Sequence, residues 1–260
     1  MQIIAVMNQK GGVGKTATTL NLAAGLKERG YKVLVVDIDP QEGNLSNTIQ
    51  ADKTVMSMFE VLCGDCQMAE VIQSMEIFDI VPATIDMANI DVPLNKNGGV
   101  GREYRLKEVL RTLPQDAYDF AIIDTPPALN LLATNALTAA DYVLAVTDPD
   151  KNALKGLTQL DGMIKQVQAY ANPNLQYIGI LMTKYQTNTN ISKDMKQVAE
   201  KLAEMFGTKL FDTVIRTGVA VPSSFTNACP VWQQDPESGP AVDYPIFVSE
   251  FVQFIQKGEK

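Results

Sequence analysis

The residues with the clearest chemical potential form one glycine-rich stretch near the start of the chain. It reads Gln9-Lys10-Gly11-Gly12-Val13-Gly14-Lys15-Thr16, and it lies between an apolar run, residues 3–7, and a segment with helical spacing, residues 16–29. Strand, glycine-rich turn and helix together are typical of a phosphate site, because the backbone N–H groups and the helix N-terminus attract anions. We expect Lys15 to reach the β- and γ-phosphates of a nucleotide and the Thr16 hydroxyl to hold Mg²⁺.

Acidic residues follow two further apolar runs. Residues 31–37 end in Asp37, with Ile38 and Asp39 directly after it. Residues 118–124 end in Asp124 after four apolar residues, which is the Walker B pattern. Carboxylates at the carboxyl ends of parallel strands point into the crevice where ligands bind. We therefore expect Asp124 to orient a water on Mg²⁺, with Asp37 and Asp39 in the same crevice.

These side chains need a scaffold of alternating strands and helices, and the chain supplies that alternation throughout. The predicted strands are residues 3–7, 31–37, 77–81, 118–124, 142–146, 175–182 and 210–215. The longer predicted helices are residues 16–29, 103–113, 129–140, 152–170, 191–206 and 245–255, and residues 54–75 suggest two short ones. The pattern predicts one α/β domain, residues 1–260, with a doubly wound, mostly parallel sheet and helices on both faces.

The composition removes several classes of function. There is no histidine, which excludes a Ser-His-Asp triad and any His-ligated metal, and three cysteines do not make a secreted disulfide framework. Cys63 and Cys66 have Cys-x-x-Cys spacing, but no second pair completes a metal site, so a chance pair is the better interpretation. No signal peptide or membrane span is recognisable, which predicts a cytoplasmic protein. The net charge of −8 argues against a generally adhesive nucleic-acid binder, although residues 151–260 are nearly balanced.

A second glycine-rich stretch, Asn97-Gly98-Gly99-Val100-Gly101-Arg102, is predicted to be a loop. It has no preceding buried strand and no Lys-Thr pair.

The form Lys-Gly-Gly-x-Gly-Lys-Thr at residues 10–16, with a second lysine inside the loop, resembles the deviant P-loop of the ParA/MinD family of ATPases. The resemblance covers essentially the whole chain, and its motifs are most similar to those of ParA-type partition ATPases. The stretches that carry it are residues 8–16, 36–41, 122–127, 135–141, 153–157 and 183–192. It implies a P-loop fold, ATP and Mg²⁺ as cofactors, a homodimer with ATP sandwiched between subunits, binding to nucleoid DNA without sequence preference, and stimulation by a ParB-like centromere-binding protein.

The resemblance also implies roles for individual residues. Lys10 is the lysine that reaches the partner subunit's nucleotide, Lys15 the phosphate lysine, Asp39 the residue that positions the attacking water, and Asp124 the Walker B acid. Thr16 ligates Mg²⁺, whereas Asp39 and Asp124 act on it through water. The implied nucleotide-binding set is Lys10, Gly11, Gly12, Val13, Gly14, Lys15, Thr16 and Ala17.

The sequence departs from the family pattern near the nucleotide, at Ala17 and Glu42, and near the C-terminus, where the departure bears on DNA. The run Arg216-Thr217-Gly218-Val219-Ala220 lacks the paired arginines of the family, Ala17 replaces a threonine, and Glu42 looks inserted. Fewer phosphate contacts weaken non-specific binding and flatten its salt dependence. The remaining candidates for DNA contact are Lys184, Lys193, Lys196, Lys201 and Arg216.

Two other functions remain open. One is a ParA-like ATPase that positions a protein cargo or secretion machine with little DNA binding, which the acidic charge and missing arginines favour. The other is a MinD-like ATPase that cycles on a membrane, which would need a basic amphipathic C-terminal helix. In residues 245–255 the polar positions carry Ser249, Glu250 and Gln253, so docking onto the core is the better account of Phe247 and its neighbours.

Overall fold

The computed structural model describes residues 1–52, 54–95 and 99–258. Its centre is one eight-stranded sheet with the order β3-β4-β2-β5-β1-β6-β7-β8. The strands are β1 (Gln2–Met7), β2 (Val33–Asp37), β3 (Gln73–Ser74), β4 (Asp79–Val81), β5 (Phe120–Asp124), β6 (Tyr142–Thr147), β7 (Gln176–Tyr185) and β8 (Leu210–Arg216). All neighbours pair in parallel except the short β3 and β4. The predicted fold class, a doubly wound and mostly parallel sheet, is confirmed.

Helices cover both faces of the sheet. They are α1 (Lys15–Glu28), α2 (Leu45–Thr48), α3 (Met58–Cys63), α4 (Met68–Val71), α5 (Asp91–Asn95), α6 (Arg105–Leu110), α7 (Leu131–Ala139), α8 (Lys151–Tyr170), α9 (Asn190–Phe206), α10 (Ala220–Thr226), α11 (Val231–Gln234) and α12 (Gly239–Gly258). Short 3₁₀ helices add Ile85–Asn89 and Arg102–Tyr104. Two separate apolar clusters result, one on each face, because alternate side chains of every buried strand point to opposite sides.

The central strands β1, β2 and β5 position the chemistry. All five residues of β2 and all five of β5 are buried, and the two strands lie in register, Asp37 beside Asp124. β1 pairs with the other side of β5, so the glycine-rich loop after Met7 emerges next to both acids. The carboxyl edge of the sheet therefore gathers the residues that the sequence singled out.

Several element boundaries differ from the prediction. The last helix begins at Gly239 rather than residue 245 and contains Pro245. A proline normally ends a helix, but here the turns before it are fixed by burial of Ala241 and Tyr244 and by the ion pair of Asp243 with Arg216. β7 also runs to Tyr185, beyond the predicted end at residue 182, because its last residues pair with β8.

Three smaller predictions have mixed outcomes. The helix predicted at residues 103–113 is shorter, with a 3₁₀ turn before α6 and Leu113 outside it. The helices predicted around Cys63 and Cys66 are confirmed as α3 and α4. Of the second glycine-rich stretch, Asn97 and Gly98 lie outside the described residues, and the part that follows them is a turn as predicted.

Candidate functional site

The glycine-rich loop joins β1 to α1 and leaves backbone groups free at the start of the helix. Gly12 has φ of 75° and Gly14 has φ of 90°, left-handed values that suit glycine. A Cβ on Gly14 would also lie 3.3 Å from the Thr183 hydroxyl oxygen. That hydroxyl donates to the carbonyl of Val13 at 2.6 Å, so the loop is held against the end of β7. The turn can take this path only with glycine at both positions.

A cavity of about 440 Å³ opens above this loop. It is lined by Gly11, Gly12, Gly14, Lys15, Thr16, Ala17, Asp39, Gln41, Gly43, Pro127, Lys184, Val221, Pro222 and Phe225. Polar groups and backbone amides occupy the end formed by the loop and α1, whereas α10 supplies an apolar wall. Such a cavity has one end suited to phosphates and another suited to an aromatic base.

Lys15 opens α1 at the base of the cavity and is only 6% exposed. Burial lowers the pKa of its ammonium group, and the nearby carboxylates of Asp124 and Asp39 oppose that shift. The two carboxylates therefore offset only part of the cost of burying the Lys15 charge. An anion entering the cavity would therefore meet a positive charge with little water around it.

Asp37 and Asp124 form the acidic floor at the ends of β2 and β5. Both are fully buried. Burial raises the pKa of Asp124 to about 8, with the negative charge of Asp37 adding to the shift and Lys15 opposing it. Burial also raises the pKa of Asp37 to about 6, against the hydrogen bonds that it accepts. Two carboxylates placed side by side in the interior resist being ionised together.

The loop after β2 is tied to Asp37. One carboxylate oxygen accepts the Asp39 N–H at 3.0 Å, and the other accepts the N–H and hydroxyl of Ser46 at 2.8 and 2.6 Å. The Asn44 amide donates to the Asp39 carbonyl at 2.7 Å. Asp39 itself is 5% exposed, and burial raises the pKa of its carboxyl group. These bonds hold the Asp39 carboxylate at the cavity wall.

The oxygen atoms around the cavity fit a magnesium ion that binds together with the phosphates of a nucleotide. The Oδ2 atom of Asp124 is buried without a hydrogen-bond partner, while its Oδ1 accepts the Thr19 hydroxyl at 3.0 Å. Among the described residues no group of three or more His, Cys, Asp or Glu side chains could hold an ion by itself. A magnesium ion here would need the Thr16 hydroxyl, water and phosphate oxygens as ligands. Asp124 would contact the ion through one of those water molecules.

Lys10 is turned away from the cavity that its own loop forms. Its ammonium group lies 3.2 Å from Asp148 and 3.1 Å from Asp150, just beyond β6. Partial burial disfavours its charge, but hydrogen bonds to Asp150 and Asp148 outweigh this and raise its pKa. Its backbone N–H donates to the Asn8 side chain at 3.0 Å. Lys10 therefore cannot serve the phosphate end of its own cavity in this arrangement.

The predicted DNA-contact residues do not form one surface. Lys184 lines the cavity and donates to the Gly12 carbonyl, and Arg216 is paired through several hydrogen bonds with Asp243. Lys193, Lys196 and Lys201 lie along α9, where Lys196 is 3.8 Å from Glu200. Of the five candidates, the three lysines of α9 therefore share one helix, apart from Lys184 and Arg216.

Two further features of the sequence, the aromatic face of the last helix and the cysteine pair, lie outside the cavity. The aromatic face of α12 lies in the core, with Phe247 and Phe251 at 0% exposure, so the predicted docking of this helix is confirmed. Within the described residues, no helix combines the length and apolar character that a membrane crossing requires. Cys63, Cys66 and Cys229 form no disulfide, and burial with nearby acids raises the pKa of Cys66.

Sequence reasoning missed several residues of the site. Asp148 and Asp150 follow β6 at the same edge of the sheet as the other acids. The argument that carboxylates at the carboxyl ends of parallel strands face the ligand crevice, which identified Asp124, could have identified them too. The α10 wall gave no such signal, because Val221 and Phe225 reach the cavity only through the fold of the segment after β8.

Comparison with known proteins places this geometry among P-loop ATPases. A family model described as an AAA domain matches residues 1–177. The sporulation initiation inhibitor protein Soj of Bacillus subtilis is 38% identical over 247 residues, which are 94% of this chain and 95% of Soj. The chromosome partitioning protein ParA of Caulobacter vibrioides is 35% identical over 240 residues, 90% of this chain and 88% of that protein.

A solved structure extends the comparison. The crystal structure of cobyrinic acid a,c-diamide synthase from Mycobacterium smegmatis with bound ADP and magnesium superposes with a TM-score of 0.84 at 32% identity. It covers 99% of this chain and 96% of that one. The likeness therefore includes α10 and α12, which lie beyond the residues that the family model matches.

Proposed function

The chain belongs to the ParA/MinD-type P-loop ATPases, and we propose on this basis that it partitions plasmid or chromosomal DNA. The proposal takes residues 1–260 as one ATPase domain that hydrolyses ATP to ADP and phosphate with Mg²⁺. The observation that carries it is the cavity in which Lys15 and Thr16 open α1 beside the Asp39 and Asp124 carboxylates.

In the proposed reaction the protein mainly positions groups and neutralises charge. The loop amides and Lys15 bind the phosphates, and the Thr16 hydroxyl ligates Mg²⁺. Asp124 orients a water on that ion, and Asp39 orients the attacking water. Magnesium supplies the positive charge that stabilises the oxygens of the transferred phosphoryl group.

The position of Lys10 supports a role for this residue in dimerisation. Its side chain faces away from the cavity of its own subunit and is only 30% exposed, held by two aspartates. We propose that in the ATP state it leaves these aspartates and reaches the nucleotide of a second copy. Two nucleotides that face each other across a two-fold axis bring many negative charges together, and a lysine from each side compensates them.

The DNA surface of the proposal is α9, with Lys193, Lys196 and Lys201. Lys184 and Arg216, predicted in the same role, are better explained by their contacts with Gly12 and Asp243. ATP-dependent DNA binding would associate the cytoplasmic protein with the nucleoid, and a ParB-like protein would stimulate hydrolysis. No membrane contact is proposed, because the apolar face of α12 is buried.

A second candidate is a ParA-like ATPase that positions a protein cargo with little DNA binding. The pairing of Arg216 with Asp243 and the contact of Lys184 with Gly12 favour it, because they leave only Lys193, Lys196 and Lys201 of the five predicted DNA-contact residues, on a chain with a net charge of −8. In that case the ATP dimer forms as before, but its surface partner is a protein.

Binding to random-sequence duplex DNA with ATP, with ADP and without nucleotide, over a salt series, separates the two candidates. Partition predicts ATP-dependent binding that weakens steeply with salt and that Lys193→Ala/Lys196→Ala reduces. The control is Lys165→Ala/Lys257→Ala, two lysines outside α9. Lys15→Ala should bind neither nucleotide nor DNA. An intact ATP dimer that ignores DNA at low salt would refute partition in favour of cargo positioning.

A further inference from the structure

Helix α9 carries an apolar seam that its own fold covers only in part. Ile191, Met195, Val198, Leu202 and Met205 recur with the alternating spacing of four and three residues that coiled-coil helices use. Met195 and Leu202 pack against the core, but Ile191, Val198 and Met205 are 68%, 40% and 74% exposed. Isolated exposed apolar residues are ordinary, whereas three on one side of a single helix, backed by two more that are half-buried, offer a face on which another helix could pack.

The charges beside the seam indicate what covers it. On the inner flank Ser192 and Ala199 are buried, so only the outer flank is free. That flank carries one acid, Asp194, and one base, Lys201, both exposed. A face with one charge of each sign, a helical repeat apart, is complementary to a copy of itself in the antiparallel direction.

We propose that α9 pairs with α9 of a second copy, antiparallel, about a two-fold axis between Lys196 and Gln197. In this register Ile191 faces Leu202 of the second copy and Met195 faces Val198, which gives four apolar layers by symmetry. Asp194 then lies within about 3 Å along the helix axis of Lys201 of the second copy. Each pairing therefore has two equivalent ion pairs beside its apolar layers.

This contact is separate from the nucleotide dimer and does not rest on the proposed function. The exposed cavity residues lie at the carboxyl edge of β1, β2 and β5, whereas α9 covers the edge formed by β7 and β8. A single helix pair buries less than a standard interface, so the contact alone is weak, with a dissociation constant between about 10 µM and 1 mM. A dimer formed through the two cavities would carry two seams, one on each subunit. Such dimers could then associate through their seams into larger assemblies, with avidity strengthening the weak contact.

Lys193 and Lys196 stay accessible in this arrangement. Both lie away from the seam on the helix, where Lys196 approaches Glu200 of its own turn. Lys201 is the one lysine of α9 shared between the seam and the proposed DNA surface. Self-association must therefore be measured without DNA.

Sedimentation velocity of the nucleotide-free protein, from about 5 µM to about 1 mM, tests the pairing. The wild-type chain should associate as concentration rises, and Val198→Glu should raise the dissociation constant at least about tenfold by burying a charge in the seam. The matched control is Val242→Glu on α12, which is 47% exposed and lies outside the seam. A wild-type chain that stays monomeric throughout, or a Val198→Glu variant that associates as wild type does, would overturn the proposal.

Charge reversal tests the orientation with exposed residues that do not threaten folding. Asp194→Lys and Lys201→Asp should each raise the dissociation constant about fivefold or more, and the double variant should recover the wild-type value. A double variant as weak as the single ones would rule out the antiparallel pairing. Loss of stimulation by a ParB-like protein in Val198→Glu, with self-association unchanged, would instead assign the seam to that partner.

Discussion

Replacing Ser46 by alanine should damage both folding and catalysis, because its hydroxyl is shared between two parts of the fold. The hydroxyl donates to Asp37 at 2.6 Å and accepts the Ala83 N–H at 2.9 Å, and the residue is fully buried. It therefore links the end of β2 to the segment after β4. Alanine removes both bonds but leaves the Ser46 N–H bond to Asp37.

The energetic cost follows from the two bonds. A hydrogen bond to a carboxylate contributes about 1.5–3 kcal/mol, and a buried N–H left without a partner costs about 1–3 kcal/mol. Partial relaxation around a small cavity recovers some of this, so we expect Ser46→Ala to lower the free energy of unfolding by about 2–4 kcal/mol. The pKa of Asp37 should rise further, since the Ser46 hydroxyl is among the groups that lower it.

The effect on catalysis passes through Asp39. Asp37 accepts the Asp39 N–H at 3.0 Å, so a displaced Asp37 carboxylate loosens the loop that carries the Asp39 side chain. A misplacement of this kind costs about tenfold to a hundredfold in kcat. Affinity for ATP should stay close to wild type, because the glycine-rich loop and Lys15 do not touch Ser46.

Urea unfolding and ATPase assays on the same preparations measure both effects. Ser57→Ala is the matched control, because Ser57 is equally buried and its hydroxyl caps α3 by accepting the Phe59 N–H. Losing that cap, and the hydrogen bond that the Ser57 hydroxyl donates to the Glu60 carboxylate at 2.8 Å, should cost about 1–3 kcal/mol and leave kcat unchanged. A Ser46→Ala protein that loses less than about 0.5 kcal/mol, or that loses stability and keeps wild-type kcat, would refute this reasoning.

Three further predictions concern the charged residues of the site. Lys10→Ala should give a protein that binds ATP but stays monomeric in size-exclusion chromatography, and a normal ATP-dependent dimer would exclude a role for Lys10 across the interface. Asp39→Ala should retain the ATP dimer with turnover reduced at least about a hundredfold, whereas brisk hydrolysis would show that another group orients the attacking water. Without nucleotide and Mg²⁺, stability should fall by about 1 kcal/mol per pH unit as pH rises from about 6.5 towards 8, because the folded protein holds a proton on Asp124, whose pKa is raised to about 8, that the unfolded chain has released. This window lies above the pKa of Asp37, which is raised to about 6, so Asp37 contributes little to the slope. Urea unfolding should show this slope in the wild type and not in Asp124→Asn, and an equal slope in both would assign the proton elsewhere.

The sheet and the phosphate end of the site could be predicted because both follow local rules. Apolar runs that end in acids gave β2 and β5, and glycines before a Lys-Thr pair gave the start of α1. β3 escaped prediction because two residues carry no periodic signal. The start of α12 was misplaced because Pro245 normally marks a boundary, and only tertiary contacts carry the helix through it.

The partners of charged side chains could not be predicted from spacing. Lys184 and Arg216 were candidates for DNA contact because they are cations in the part of the chain where the family's paired arginines are missing, but the structure pairs them with Gly12 and Asp243. Asp243 lies 27 residues from Arg216, across a turn and two helices. A hydrogen bond over that distance depends on the completed fold, so residue type alone gives only the charge.

The packing of α12 against α1 has a consequence for synthesis on the ribosome. α1 carries Lys15 and Thr16 at its first turn, and at Gly25 it approaches α12 so closely that a Cβ would lie 2.9 Å from Val248. The first helix to be translated thus packs against the last described one. The nascent chain cannot cover this face of α1 until α12 has left the exit tunnel, so the packing around α1 is completed late. Chains that end before Gly239 should leave an apolar face uncovered and become substrates for proteases and chaperones.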